Sequence, residues 1–338
     1  MRSLILIFGA ALIGAAILTP LARKLSWHLG FLDQPAARKV HAKVTPLLGG
    51  AALGGGMFLA LGLAAVVSDG GRLGPGTWLA LLVALGLGLW DDRRGLGPAP
   101  KIAGQLLTGL LLIVDGWSVP ISGWAPLNAL LTLFWVVALM NAVNFLDNMD
   151  GIASGIGAVA GIGFAALGMM NGRMSEAVLG LSLAGACSGF LFFNFSPASI
   201  FLGDAGSLLV GAALARLSLG AMDSGRGAPG ILAALIVLAY PVFDISFVTC
   251  VRLLEGRKIY QGGRDHSSHR FDRLLKGHRR TALMVYALCA ALAAAGWMAY
   301  QAGRVSVSWS LFALVTVFFV GLGLSLARVP TGTPEKGV

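Results

Sequence analysis

Apolar runs of roughly bilayer length alternate with short polar gaps along nearly the whole chain. A membrane helix needs about 20 mostly apolar residues, and the pattern predicts helices at Ser3–Ala22, Pro46–Ser68, Leu73–Trp90, Pro100–Val114, Pro126–Leu146, Gly151–Asn171, Ala177–Phe195, Ile200–Leu219, Gly227–Val251, Thr281–Ala302 and Val305–Ala327. The predicted architecture is all-α, a single polytopic membrane domain over 1–338 with about eleven spans. The fourth span is the shortest: only Ile102–Val114 is free of charge, so it requires Lys101 to snorkel to the interface. The first run is longer than a signal-peptide core and is followed at once by Arg23 and Lys24, which reads as a retained helix.

Composition strengthens this picture. Apolar residues make up 57% and charged residues 12%, about half the roughly 25% of a soluble domain. So few charges cannot cover a water-facing surface. The 48 glycines suit helices packed closely in lipid. A net charge of +10 raises nucleic acid as a partner, but the basic residues sit in short gaps between apolar runs, which excludes a DNA-binding face. Of the 25 Lys and Arg residues, nineteen fall on the side holding 23–45, 91–101, 146–150, 196–199, 252–280 and the C-terminal tail. The positive-inside rule makes that side cytoplasmic, with the N-terminus outside and the C-terminus in the cytoplasm of an inner-membrane protein. Cys187, Cys250 and Cys289 all lie in apolar runs without metal-type spacing, so they read as small hydrophobes.

The acids and all five histidines crowd to the same side, which suggests a polar site at the inner membrane surface that handles anions with a metal. Asp91-Asp92, followed by Arg93-Arg94 and Lys101, is either a hydrated helix end or a hard-oxygen site suited to Mg²⁺. Asn141, Asn144 and the Asp147–Asn148 region recur at helical spacing, and polar groups at membrane depth are functional by default. A turn at Asp150-Gly151 accounts for Asp150 but not for the two upstream asparagines. Asp204, between Gly203 and Gly206 at the start of the eighth span, is a helix cap or part of a metal–phosphate cradle. Arg264, His266, His269 and Arg270 supply donors for a diphosphate, or a lipid-headgroup patch. Arg38, Lys39 and His41 precede a proline-started helix.

Together these segments resemble the polyprenyl-phosphate N-acetylhexosamine-1-phosphate transferase superfamily (glycosyltransferase family 4), on its WecA/TagO-like branch. The family pattern D-x-P-x-x-R-K-x-H…P-x-x-G-G is similar to Asp33 to Gly50. D-D-x-x-x-L-x-x-x-x-K-x-x-x-Q matches Asp91, Asp92, Leu96, Lys101 and Gln105. N-A-x-N-x-x-D-G-x-D-G matches Asn141 to Gly151, with Asn148 standing where the family has Gly. G-D-x-G-S matches Gly203 to Ser207, and R-x-H-x-x-H matches Arg264, His266 and His269. The sister branch that makes the first lipid intermediate of peptidoglycan usually carries three histidines in this loop. The His-Ser-Ser-His here sets the chain outside it.

The resemblance implies transfer of a sugar 1-phosphate from a UDP-sugar to a membrane polyprenyl (undecaprenyl) phosphate, releasing UMP, at the first membrane step of a cell-envelope glycan. GlcNAc is the expected sugar, with GalNAc, QuiNAc, FucNAc or MurNAc-pentapeptide as alternatives, and a homodimer is compatible. It implies a Mg²⁺ cofactor, with Mn²⁺ as a substitute, held by Asp204 and Asn144. Asp91, Asp92, Asp204 and His266 are the implied catalytic residues. Lys101, Asn141, Asp147, Asp150, Arg264, His269, Arg38 and His41 are the implied substrate contacts. Direct attack and an aspartyl-phosphate route both remain open. A transporter would instead need polar residues at the bilayer midplane of several helices, where only Asp244 and Arg216 come close. A CDP-alcohol phosphotransferase shares the opening Asp147 to Gly151 but lacks the rest of its signature here.

Overall fold

The computed structural model describes residues 2–34, 44–68, 71–223, 225–259, 263–302 and 304–330. Arg38 and His41 lie outside the described residues. The helices are α1 (Arg2–Leu29), α2 (Gly49–Val67), α3 (Pro75–Arg94), α4 (Pro98–Val114), α5 (Ala125–Leu146), α6 (Ile152–Met170), α7 (Met174–Asn194), α8 (Gly203–Met222), α9 (Ala228–Val237), α10 (Ala239–Leu254), α11 (Ser267–Leu275), α12 (His278–Gln301) and α13 (Val305–Ala327). The exception to all-helix is one short antiparallel pair, β1 (Leu32–Asp33) and β2 (Thr45–Pro46), with Leu32 opposite Pro46 and Asp33 opposite Thr45.

Every predicted span coincides with a helix or a helix pair. Among the described residues eight helices are long and apolar enough to cross a membrane, nine if the bent pair α9–α10 counts as one span. The chain is thus a multi-pass membrane protein. Helices α3 and α4 fall short of that test for physical reasons. The last turn of α3 carries Asp91, Asp92, Arg93 and Arg94, and α4 has 17 residues. The predicted ninth span is broken by 65° at Leu238. Pro241 has no N–H to give the carbonyl four residues earlier, at Val237, where α9 ends. The 252–280 loop contains a helix of its own, α11.

Helix α8 is the axis of the bundle, packed against α2, α3, α5, α6, α7 and α9. Of its 20 residues, all are buried except Asp204. Close approach to α3 is possible because residue 88 has no side chain: a Cβ there would lie 2.3 Å from Ala205 Cα and 2.3 Å from the Asp204 carbonyl oxygen. The strand pair and the start of α2 are tied to the same point. Phe201 N–H donates to Pro46 O (2.9 Å), Gly49 N–H to Phe201 O (3.1 Å) and Gly50 N–H to Leu202 O (2.8 Å). The Pro46-x-x-Gly49-Gly50 motif therefore braces the entry to α8.

Candidate active site

Helix polarity decides what meets at this end of the bundle. The C-termini of α3 and α5 and the N-termini of α4 and α8 converge, so residues from 91 to 204 become neighbours. A cavity of 780 Å³ opens there, lined by Asp91, Asp92, Asp147, Asn148, Asp150, Asp204, Arg264 and His269 among others. Seven of the sequence-predicted site residues thus line one cavity.

The acids do different jobs. Asp92 accepts hydrogen bonds from Asp204 N–H (2.8 Å) and Ala205 N–H (3.0 Å), capping the N-terminus of α8 from a neighbouring helix. Gly203, at φ +70°, is what allows this: a Cβ there would sit 2.8 Å from a carboxylate oxygen of Asp92. Asp91 accepts from Leu96 N–H (2.6 Å) and touches the Lys101 ammonium. Lys101 also bonds Asp204 at 2.6 Å, so one cation bridges two carboxylates. Asn144 donates to Asp204 (2.6 Å) and to Ser207 (2.9 Å). Asp150 accepts from Ala198 N–H at 2.9 Å.

Asp147 lies at the turn after α5, half-buried, and lines the cavity. Burial and then the charges of Asp204, Asp92 and Asp150 push its carboxyl well above the ordinary range, against a hydrogen bond from Gly203 N–H. An excess of negative charge around one cavity fits a hard divalent cation. Among the described residues no three His, Cys, Asp or Glu side chains surround one metal-sized point. Carboxylate oxygens are hard donors of the kind that Mg²⁺ takes together with water and phosphate.

Not every predicted residue reaches the cavity. Asn141 bonds Gln105 (2.8 Å) and its own helix at Val137 O (2.8 Å), linking α5 to α4 behind the site. His266 is buried, with Nδ1 2.8 Å from Asp244. His269 does line the cavity. Burial, and then the positive fields of His266, Arg264 and His278 against an opposing Asp244, push its pKa down to about 4, so it is neutral at pH 7. It therefore serves as a hydrogen-bonding group, with Arg264 as the cation beside it.

Asn148, the departure from the family pattern, has no need of the left-handed backbone that Gly permits: among the described residues Lys276 is the one non-glycine with positive φ. Its side chain instead donates to Phe145 O (2.6 Å) and accepts from Ser268 (2.7 Å), tying the turn to α11. The left-handed position is Gly151, at φ +78°.

Sequence reasoning passed over Asn194. It accepts from Gly151 N–H (3.1 Å) and Ser154 (2.9 Å) and donates to Ile200 O (3.1 Å). A lone amide closing an apolar span was its signal. Asp33 and His278 also line the cavity.

The family model described as glycosyl transferase family 4 matches residues 75–222, the stretch from α3 through α8. A Bacillus subtilis protein named probable undecaprenyl-phosphate N-acetylglucosaminyl 1-phosphate transferase is 31% identical, over 85% of this chain and 82% of its own length. The chain belongs to glycosyl transferase family 4. A second member, a Mycobacterium tuberculosis decaprenyl-phosphate N-acetylglucosaminephosphotransferase, is 35% identical over 82% of this chain and 79% of its own. A Levilactobacillus brevis phospho-N-acetylmuramoyl-pentapeptide-transferase is 28% identical over 65% of this chain and 76% of its own.

Proposed function

We propose that this family 4 member transfers N-acetylglucosamine 1-phosphate from UDP-GlcNAc to a polyprenyl phosphate, forming polyprenyl-diphosphate-GlcNAc and releasing UMP. The chain crosses the membrane eleven times with its N-terminus outside, and the reaction occurs at the cytoplasmic leaflet. The observation that carries the reading is one acid-rich cavity, with Arg264 in its lining, at one end of an apolar bundle, in a chain whose relatives at 31% and 35% identity are named for this transfer.

A phosphate monoester has a second pKa near 6, so the lipid nucleophile is already largely dianionic at neutral pH. The difficulty is bringing two polyanions together in line, which calls for preorganised positive charge. Asp204, with Asn144 hydrogen-bonded to it at 2.6 Å, would hold a magnesium ion, for which manganese would substitute. Bound there, the ion would neutralise diphosphate oxygens. Lys101 orients Asp204 and Asp91 and offers its ammonium to the diphosphate. Arg264 and neutral His269 donate to the sugar phosphate, while Asp147 and Asp150 face the nucleotide. Asp91 faces the incoming lipid phosphate, and Asp92 keeps the α8 N-terminus, and hence Asp204, in register.

The test is purified protein with undecaprenyl phosphate, Mg²⁺ and a panel of UDP-sugars. UMP release fastest with UDP-GlcNAc is the expected result. Release with UDP-GalNAc or UDP-MurNAc-pentapeptide alone would overturn the sugar assignment. Solute movement without consumption of any UDP-sugar would overturn the reaction.

A further inference from the structure

Outside the cavity, one face of α10 carries three polar side chains that the transfer chemistry does not use. Tyr240, Asp244 and Arg252 stand at i, i+4 and i+12, with buried Val248 between the last two, so all four share a stripe. Asp244 is 0% exposed on a membrane-embedded helix, where an unpartnered carboxylate would be strongly unfavourable. It is fully engaged: it accepts from His266 Nδ1 (2.8 Å), Ser267 N–H (2.8 Å) and Ser267 Oγ (2.5 Å). Arg252 holds Asp265, the preceding residue, through two bonds of 2.9 Å. Tyr240 lies 3.1 Å from Ser267 Oγ. The stripe thus grips three consecutive residues, 265 to 267, immediately before and at the start of α11.

The gripped segment faces the site turn. Phe145, between Asn144 and Asp147, meets the His266 ring edge-on at 5.9 Å, and the Arg252 guanidinium lies 5.6 Å over the same phenyl ring. Ser268 bonds Asn148 at 2.7 Å. Arg264 and His269, which line the cavity, flank the gripped residues on either side.

We propose that Asp244 is a positioning residue for the transfer reaction: with Arg252 it clips residues 265–267 to α10 and thereby fixes His266 and holds Arg264 and His269 at the cavity. The carboxylate sets the His266 ring with Nδ1–H toward α10, leaving Nε2 as the ring's remaining bonding position. In its effect on turnover, the inference rests on the transferase reading.

Two measurements separate the clip from that reading. In a double-mutant cycle on detergent-purified protein, Asp244→Asn should lower kcat for UMP release about 10–100-fold, with KM for UDP-GlcNAc changed by less than about threefold. The Asp244→Asn/His266→Ala double variant should be no slower than His266→Ala alone. Hydrogen–deuterium exchange, which needs no turnover, should rise in 263–275 of Asp244→Asn and stay unchanged in α2 and α8. If Asp244→Asn does not fold, Ser267→Ala, which removes one donor to the carboxylate, should give the same pattern at about fivefold. Unchanged exchange in 263–275 would overturn the clip, as would additive losses in the cycle. A wild-type protein that releases no UMP from any UDP-sugar would instead overturn the transferase reading, with the exchange result still deciding the clip.

Discussion

At one end of α8, Asp204 lines a 780 Å³ cavity, its side chain 28% exposed there and bonded to Lys101 and Asn144. Twelve residues on, about 18 Å along the same helix, Arg216 is 1% exposed and enclosed by protein. Its guanidinium lies 3.3 Å from the Trp117 ring centroid and 3.4 Å from Glu176, and it donates to Thr77 at 3.2 Å. Thr77 donates in turn to Asp115, whose oxygens accept the first amides of α3 from Gly76 (2.9 Å) and Thr77 (3.0 Å). Arg173 extends the cluster to Asp223. Both ends put charge where the sequence is apolar. The Arg216 end is closed on itself, and its charges hold α3, α7 and α8 together. The Asp204 end leaves carboxylates facing space that a substrate can fill. Membrane-depth charge marks a site when its coordination is left open to a ligand, and a structural joint when protein closes it.

The comparison breaks most visibly at Asp204. Asp204→Asn should cut UMP release by at least about 10³-fold while leaving the melting temperature close to wild type. At the other end, Arg216→Met should cost about 3–5 kcal/mol of stability by stranding Glu176, with turnover per folded molecule unchanged. The Arg216→Met/Glu176→Leu pair should recover much of that loss in thermal denaturation. A stable but inactive Arg216→Met would erase the distinction between the two ends.

Smaller changes sharpen it. Lys101→Gln removes the cation shared by Asp91 and Asp204, and kcat/KM should fall about 100-fold, read in the same assay. Gly88→Ala drives a methyl into Ala205 and the Asp204 carbonyl, so it should lower stability by about 1–3 kcal/mol and turnover together, unlike either end alone. The smallest effect is at His269. Its pKa of about 4 lies below the ordinary 6.5, so the fold favours the neutral ring. That contribution is complete above about pH 6.5 and is lost as pH falls toward 4. Thermal stability of His269→Gln should therefore decline less than wild type over that interval.

Much of the architecture was legible in the chain, because twenty-residue apolar runs are a local consequence of the bilayer. The paired acids, the asparagine turn, Gly203-Asp204 and the loop of arginine and histidines were legible too, since each puts polar groups where lipid forbids them without a partner. Partnership was not legible. Asp91 and Asp92 are adjacent in sequence, yet Asp92 turns to cap α8 while Asp91 meets Lys101. Asp244 and Arg216 looked alike as isolated charges within spans. One clips a loop and the other seals a helix joint, which depends on side chains 22 to 139 residues away.

The amino-acid order by itself determined a multi-pass helical membrane protein with its polar chemistry gathered on one face, because burial of backbone and charge in lipid is decided residue by residue. Only the tertiary structure decided which helix ends meet, which carboxylates remain open to a ligand and how α10 bends across the loop. Those outcomes depend on antiparallel packing around α8, where a missing side chain at Gly88 or a hydrogen bond from another helix sets the distance between groups far apart in the chain.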